Sequence, residues 1–499
     1  SLGCTGSPSA RTANLDALAD EGHLFNRHFS TCPICQPSRA SLLTGLYPPA
    51  HQLWTNGVAL PRVDHSPSVH DRFVPIETES GLHLVTPTLG DIFTNAGYRT
   101  AAFGKMHLTP FLEDNTARRE AYAAWKGDQA HDDALPYYGF ETYEPILGHG
   151  PVNYWSHGGA YGRYLHEQHP DLGDKLNEHI AATRAIPAIR DLYSSPILHR
   201  NSDASWLAER VKTFIDQRPS DRPFCCFVGF PGPHHPFAPS HDVLDAFIDA
   251  PVADPAVGVD ELSGRPIMGA FDTAGQLHHL PEPWRENARA VRRYSDAMIH
   301  EIDRAVGRII EHLDITGLWD NTIVVFTSDH GDFLGDFGLF RKACLNASQL
   351  LRVPLIMRVP GERQEALAAQ SDRPTSNTDI LPTLAALAGV PLPGSVHGID
   401  LTNGQADERT VFAYAYQTTN RGGGNRRLDN IAVFQGDNHY CYAPHLDMEE
   451  LFDTQSDPHE TRDLASEPGG RARAAELRGL AAKALMTQHC PGLGKVAKY

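Results

Sequence analysis

Apolar positions along the chain switch between helical and extended spacing. Val291, Tyr294, Met298, Ile302, Ala305, Ile309 and Leu313 recur at three- and four-residue steps, which predicts one long amphipathic helix. Trp206, Leu207, Val211 and Ile215 do the same across Ser202 to Arg218, with Ser202 and Asp203 as capping candidates. Shorter helices are predicted from Thr12, with Leu15 and Leu18 apolar and Gly22 as the stop, and over Thr88 to Gly97. Extended stretches alternate with them: Leu24 to Phe29, Arg99 to Phe103, Phe224 to Phe230 and Thr322 to Thr327. The run Phe224 to Phe230 follows a helix and carries no polar alternation, so it reads as a buried strand of an α/β fold. Glu113 to Leu198, rich in Tyr, His and Gly, shows little period and reads as long loops with short helices over the functional face. Beyond Thr410, short strands (Val411 to Tyr416, Asn430 to Gln435, His439 to Ala443) and a final helix near Arg471 to Met486 predict a smaller α+β unit with a short antiparallel sheet.

Composition narrows the function. A chain of 499 residues that is 41% hydrophobic suits one large domain plus a smaller one. The net charge of −18 argues against a nucleic-acid binder, so any anionic substrate must be drawn in by a local cluster of cations or by a metal. Eight cysteines in so long a chain do not form a disulfide framework, which tilts the expected location to the cytoplasm. No run approaches the length of a membrane span. The first residue is serine, so the missing signal peptide says little. Nothing in the sequence opposes a homo-oligomer.

The chemistry centres on Ile34 to Gly45. A single thiol, Cys35, precedes a short helical segment in which Pro37 suits the first position and Gly45 the stop, so a group on Cys35 would face backbone N–H groups that favour anions. A buried inert thiol, or a Cys32-x-x-Cys35 redox or zinc pair, competes with that reading. Zinc would need a second pair, and the adjacent Cys225 and Cys226 are poorly spaced for it.

Cys35-x-Pro37-Ser38-Arg39, followed by Ala40-Ser41-Leu42-Leu43-Thr44-Gly45, resembles the defining motif of the type I sulfatases of the alkaline phosphatase superfamily, whose cysteine is oxidised to formylglycine. The resemblance implies a mostly parallel central sheet flanked by helices, with the catalytic domain over residues 1–400 and the small subdomain over 401–499. It also implies maturation by a formylglycine-generating enzyme and a substrate that is a small-molecule or carbohydrate sulfate ester. One divalent cation is implied, calcium by family, with magnesium and manganese compatible with oxygen ligands. The chemistry explains the modification. A serine that attacked a sulfate ester would be left sulfated, whereas a hydrated aldehyde carries two hydroxyls on one carbon, one to attack and one to eject sulfate. Arg39, one helical turn on, would steady the charged diol.

Four further stretches extend the likeness. Gly104-Lys105-Met106-His107-Leu108 resembles "GKWHL", with Met106 in place of tryptophan, and Lys105 and His107 alternate from a strand end toward one pocket. His234, in Pro233-His234-His235-Pro236 after a core strand, matches "PHxP", with His235 next in line if the register slips by one. Ser328-Asp329-His330-Gly331 resembles "TSDHG", which assigns Asp329 and His330, with Cys35, as metal ligands. Lys342 matches the lysine that contacts sulfate. Taken singly, each would more often be a loop or surface residue. The implied roles are sulfate neutralisation by Lys105 and Lys342, help for the departing alcohol from His234, and deprotonation of the second hydroxyl by His107. In the family a strand ending in metal-binding aspartates precedes the segment that Ser1 to Gly6 resembles, and those aspartates are not in this sequence. Either that strand lies outside it or half of the metal site is lost, which keeps an inactive relative in view.

Elsewhere, Leu351 to Met357 resembles the "RVPLI" strand, Ser376 to Gly389 the "DILPTLLxLAG" helix, and Val396 to Leu401 the segment closing the main domain. Tyr138, Trp155 and His157 are candidates for lining a pocket, with core packing the commoner use of such residues. Phosphonate monoester and phosphodiester hydrolases of the same superfamily are the main alternative, from which the Lys105-x-His107 pair separates this chain.

Overall fold

The stripe from Val291 to Leu313 forms part of a 32-residue helix, Trp284–Ile315, in the computed structural model, which describes residues 2–61, 76–77, 83–84, 87–112, 118–125, 136–361, 363–368, 372–392, 396–403, 409–419 and 426–488. Elements that bear on the site are, in chain order, α1 (Ala13–Glu21), β1 (His23–Phe25), β2 (His28–Phe29), α2 (Cys35–Thr44), α3 (Leu89–Asn95), β3 (Arg99–Gly104) and β4 (Thr142–Pro145). Next come α4 (Gly150–His157), α5 (Gly159–Gln168), α6 (Leu172–Thr183), α7 (Asp203–Asp216), β5 (Phe224–Gly229), α8 (Pro266–Thr273), α9 (Trp284–Ile315), β6 (Val324–Thr327), β7 (Leu355–Arg358) and β8 (Thr375–Ser376). The chain closes with α10 (Ile380–Ala388), β9 (Thr410–Ala415), β10 (Asn430–Gln435), β11 (Asn438–Ala443), β12 (Met448–Asp453) and α11 (Pro468–Thr487).

The fold is mixed α/β, as its pattern predicts. Parallel strands run in the order β4-β3-β5, and an antiparallel set runs β1-β7-β6. Side chains alternate along β3, so its two faces meet different helices. Ala101 and Phe103 pack with Trp206, Leu207, Val211 and Phe214 of α7 and Leu313 of α9, while Ala102 packs with Ile92 and Phe93 of α3 and Leu381 of α10. The C-terminal sheet, β9-β10-β11-β12, is antiparallel throughout and is covered by α11 on one face and α8 on the other. Buried Arg265, at the start of α8, pairs with Glu450 of β12 at 3.1 Å and with Glu460 at 3.5 Å, so charges withdrawn from water offset one another where α8 meets this sheet. Among the described residues, no helix is long and apolar enough to cross a membrane.

Several boundaries differ from the sequence reading. Leu24 to Phe29 is not one strand: Asn26 and Arg27 break it, with β1 joining β7 and β2 joining β8. Glu113 to Leu198 holds more regular structure than its composition suggests, with β4 parallel to β3 and three helices of 8, 10 and 12 residues. Its segments 113–117 and 126–135 lie outside the described residues, as do Ser1, 404–408, 420–425 and 489–499 of the other stretches read above. Strands β5 and β6 form where expected, but they are mostly partly buried rather than fully buried. Each is the last strand of its set among the described residues, and a cavity of about 1210 Å³ lies between them. Phe224, Cys226, Val228, Val324 and Phe326 line it, and it runs on to Lys105, His234, Asp329, His330 and Lys342.

Candidate active site

Helix α2 opens at Cys35 itself, two residues ahead of the expected start, with Ile34 as an extended N-cap residue. The backbone N–H of Gln36 is taken by Asn56 Oδ1 at 3.1 Å, so the positive field at Cys35 comes mainly from side chains and less from the helix end than the motif suggests. Lys342 Nζ donates to Cys35 Sγ at 3.1 Å, and His330 Nε2 lies 3.2 Å from the same sulfur. Burial alone would push the Cys35 thiol up, but Lys105, Lys342 and His330, with a hydrogen bond from His107, hold it well below its ordinary value. A group at position 35 is thus held as an anion in a chain whose net charge is −18.

Asp329 and His330 emerge just past β6, and their ligand atoms lie within 4.8 Å of one another and of Cys35 Sγ. His330 Nδ1–H donates to the Gly331 carbonyl at 2.8 Å, which turns Nε2 toward the cluster, the nitrogen that a metal ion would take in exchange for a proton. Arg39 Nε donates to Asp329 Oδ2 at 2.7 Å; burial would raise this carboxyl, but Arg39 and His330 hold it ionised, well below the usual range. A carboxylate, an imidazole and the atom at position 35 supply three donors of the kinds a divalent cation takes, about half of the six or more that calcium needs, and both Asp329 oxygens already accept hydrogen bonds, from Arg39 and from the His330 N–H. Because the group holds an acid and a base and no second thiol, it does not resemble a zinc–thiolate site, and the described cysteines are all free.

Lys105 and His107 do reach the same place, though by a turn and not by strand alternation. Gly104 has φ 85° and His107 φ 57°, and a side chain at Gly104 would come within 2.3 Å of the Gly229 carbonyl, so the ends of β3 and β5 close tightly here. Buried Glu120 holds the turn by accepting the N–H groups of His107, Leu108 and Thr109. Burial lowers Lys105 to about 8 and His107 to about 4. Arg39 Nη1 also donates to the Lys105 carbonyl at 2.6 Å, tying this turn to α2.

His234, not His235, faces the thiol. Its Nδ1–H donates to the His235 carbonyl, and Nε2 accepts from Lys342 Nζ at 2.9 Å. Burial and the neighbouring Lys342 lower it to about 3, so the imidazole is neutral with its proton on Nδ1. The His235 ring stacks behind it at 4.1 Å. Sequence reasoning missed two residues that shape this centre. One is Glu120. The other is His149, whose Nε2 lies 2.9 Å from Lys105 Nζ and whose ring stacks on His234 with centroids 3.7 Å apart. Of the aromatic candidates, Tyr138 goes to the core with its hydroxyl on the Leu60 carbonyl, Trp155 stacks on His166, and His157 stacks on Tyr122.

The profile of the Sulfatase family matches residues 1–390, and that of the N-sulphoglucosamine sulphohydrolase C-terminal region matches residues 335–484. The multifunctional alkaline phosphatase superfamily protein PehA of Trinickia caryophylli is 30% identical over 96% of this chain and 89% of its own length. The choline-sulfatase of Rhizobium meliloti is 27% identical over 93% of this chain and 79% of its own length. Among solved structures, the phosphonate monoester hydrolase of Agrobacterium radiobacter superposes with a TM-score of 0.73, covering 98% of this chain and 93% of that one at 23% identity, which establishes a shared fold.

Proposed function

The chain belongs to the sulfatase family and is a sulfuric ester hydrolase, and from that premise we propose that it cleaves an organic sulfate monoester through a formylglycine made from Cys35. The observation that carries this reading is the convergence on one buried sulfur of two lysines, a metal-type imidazole and His107. Cys35 Sγ marks the place from which the hydrated aldehyde acts, and a formylglycine-generating enzyme is the maturation partner this requires. Asp329, His330 and position 35 would hold a divalent cation, calcium first by family likeness, which when bound draws negative charge from the sulfate and lowers the pKa of the nucleophile.

The protein's own residues supply the rest. Lys105 and Lys342 bring positive charge to the sulfate oxygens in a site screened from water, where such charge counts most. Lys342 Nζ donates to His234 Nε2 at 2.9 Å. With its own proton on Nδ1, His234 assists the departing alcohol by holding the Lys342 ammonium, the proton source, in place. His107 is kept neutral by burial and faces position 35, so it serves as the base there in the tautomer that carries its proton on Nδ1. Arg39 orients, holding Asp329 with one nitrogen and the Lys105 carbonyl with another.

The fold shared with a phosphonate monoester hydrolase fits a second reading, a hydrolase of phosphonate monoesters or phosphodiesters. The two lysines and His107 favour sulfate. With p-nitrophenyl sulfate and a matching aryl phosphodiester as substrates, kcat/KM is expected to be higher for the sulfate, and a clear preference for the diester would overturn the assignment.

A further inference from the structure

His149 sits between two glycines that both take the left-handed backbone, Gly148 at φ 73° and Gly150 at φ 75°. Neither position has room for a side chain. A Cβ on Gly148 would lie 2.7 Å from the Tyr122 hydroxyl, and one on Gly150 would lie 2.3 Å from Pro236 Cγ, in the loop that carries His234. The chain therefore bends sharply on either side of one residue and lays its ring flat on His234, with centroids 3.7 Å apart and planes 14° from parallel. An ammonium group has only N–H bonds to offer, so at 2.9 Å His149 Nε2 is the acceptor for Lys105 Nζ. Lys342 and His234 make the same contact at the same distance. Two lysine–histidine pairs are thus clamped together through their rings, and both lysines lie beside Cys35.

We propose that His149 is a positioning residue for sulfuryl transfer: it fixes one N–H of Lys105 and the ring plane of His234, so that the remaining N–H bonds of Lys105 point at the sulfate. The inference rests on the sulfatase reading of the site. A flexible lysine left to itself would spread over many rotamers, and a displacement on the order of 1 Å in a positioning group costs about a hundredfold in rate.

The test is a double-mutant cycle on the mature enzyme. His149→Phe keeps a flat ring and removes the acceptor; it is expected to lower kcat/KM for p-nitrophenyl sulfate by about 10- to 100-fold. His149→Gln, which restores an acceptor but not the ring, is expected to recover a measurable part of that loss. In a Lys105→Met background, His149→Phe is expected to change kcat/KM by less than about twofold, because the group it positions is gone. An equal loss in both backgrounds, or no recovery with glutamine, would overturn the proposal in favour of a scaffold role. Binding of inorganic sulfate, followed by thermal shift through the same four proteins, reads the aim of Lys105 without turnover. A parent protein that binds sulfate but turns over no sulfate ester would sink the sulfatase reading while the binding cycle still decides the part played by His149.

Discussion

Cys35→Ala is expected to abolish sulfate-ester turnover, lowering kcat by at least about ten-thousand-fold, with the fold unchanged. The side chain at position 35 touches Lys342 and His330, and its ordinary role as a thiol would be negligible: it is small, and removing it from the first turn of α2 leaves little space. Cys35→Ser sharpens the point. It keeps an oxygen nucleophile but only one, so it can accept a sulfuryl group and has no second hydroxyl with which to expel it. Turnover should stay lost in both variants, with circular dichroism and the thermal midpoint close to the parent's. Substantial steady-state activity in either would show that position 35 is not the nucleophile.

Lys342→Met is expected to lower kcat by about a hundred- to a thousandfold, the usual cost of losing one charged donor from a dry site. Two functions go at once, because this ammonium donates both to position 35 and to His234. Stability should move the other way or not at all. Lys342 lies close enough to Lys105 to help lower its pKa, so the site gathers like charges that repel in the folded protein. A thermal midpoint equal to or above the parent's, together with slow turnover, is the expected pair of results in scanning calorimetry and aryl-sulfate kinetics. A loss smaller than tenfold would remove Lys342 from the sulfate-binding role.

Most of the residues legible in the sequence sit at the end of a strand or the start of a helix, inside a short stretch whose neighbours are also constrained; Arg39, inside α2, and Lys342, in a loop, are the exceptions. Cys35 precedes Pro37 and the α2 stop at Gly45; Lys105 follows β3, His234 follows β5, and Asp329 follows β6. The backbone path that brings them together is long-range, but the local signal at each place is complete. His149 has no such signal. A histidine between two glycines in a stretch without period reads as a loop, and its partners Lys105 and His234 are distant in sequence. The same stretch hid β4 and the bounds of the short helices α4 to α6, because tyrosine, histidine and glycine blur the 3.6-residue repeat and four residues are too few to establish alternation. Phe224 to Phe230 forms its strand where the apolar run places it, and in this chain that strand lines the cavity beside β6.

The most direct test is the mass of the peptide that carries Cys35, taken from protein co-produced with a formylglycine-generating enzyme and compared with the specific activity of the same preparation. The expected result is a peptide that has exchanged sulfur for an aldehyde oxygen or its hydrate, in a fraction that tracks activity from one preparation to the next. An intact thiol at position 35 in fully active enzyme would contradict it.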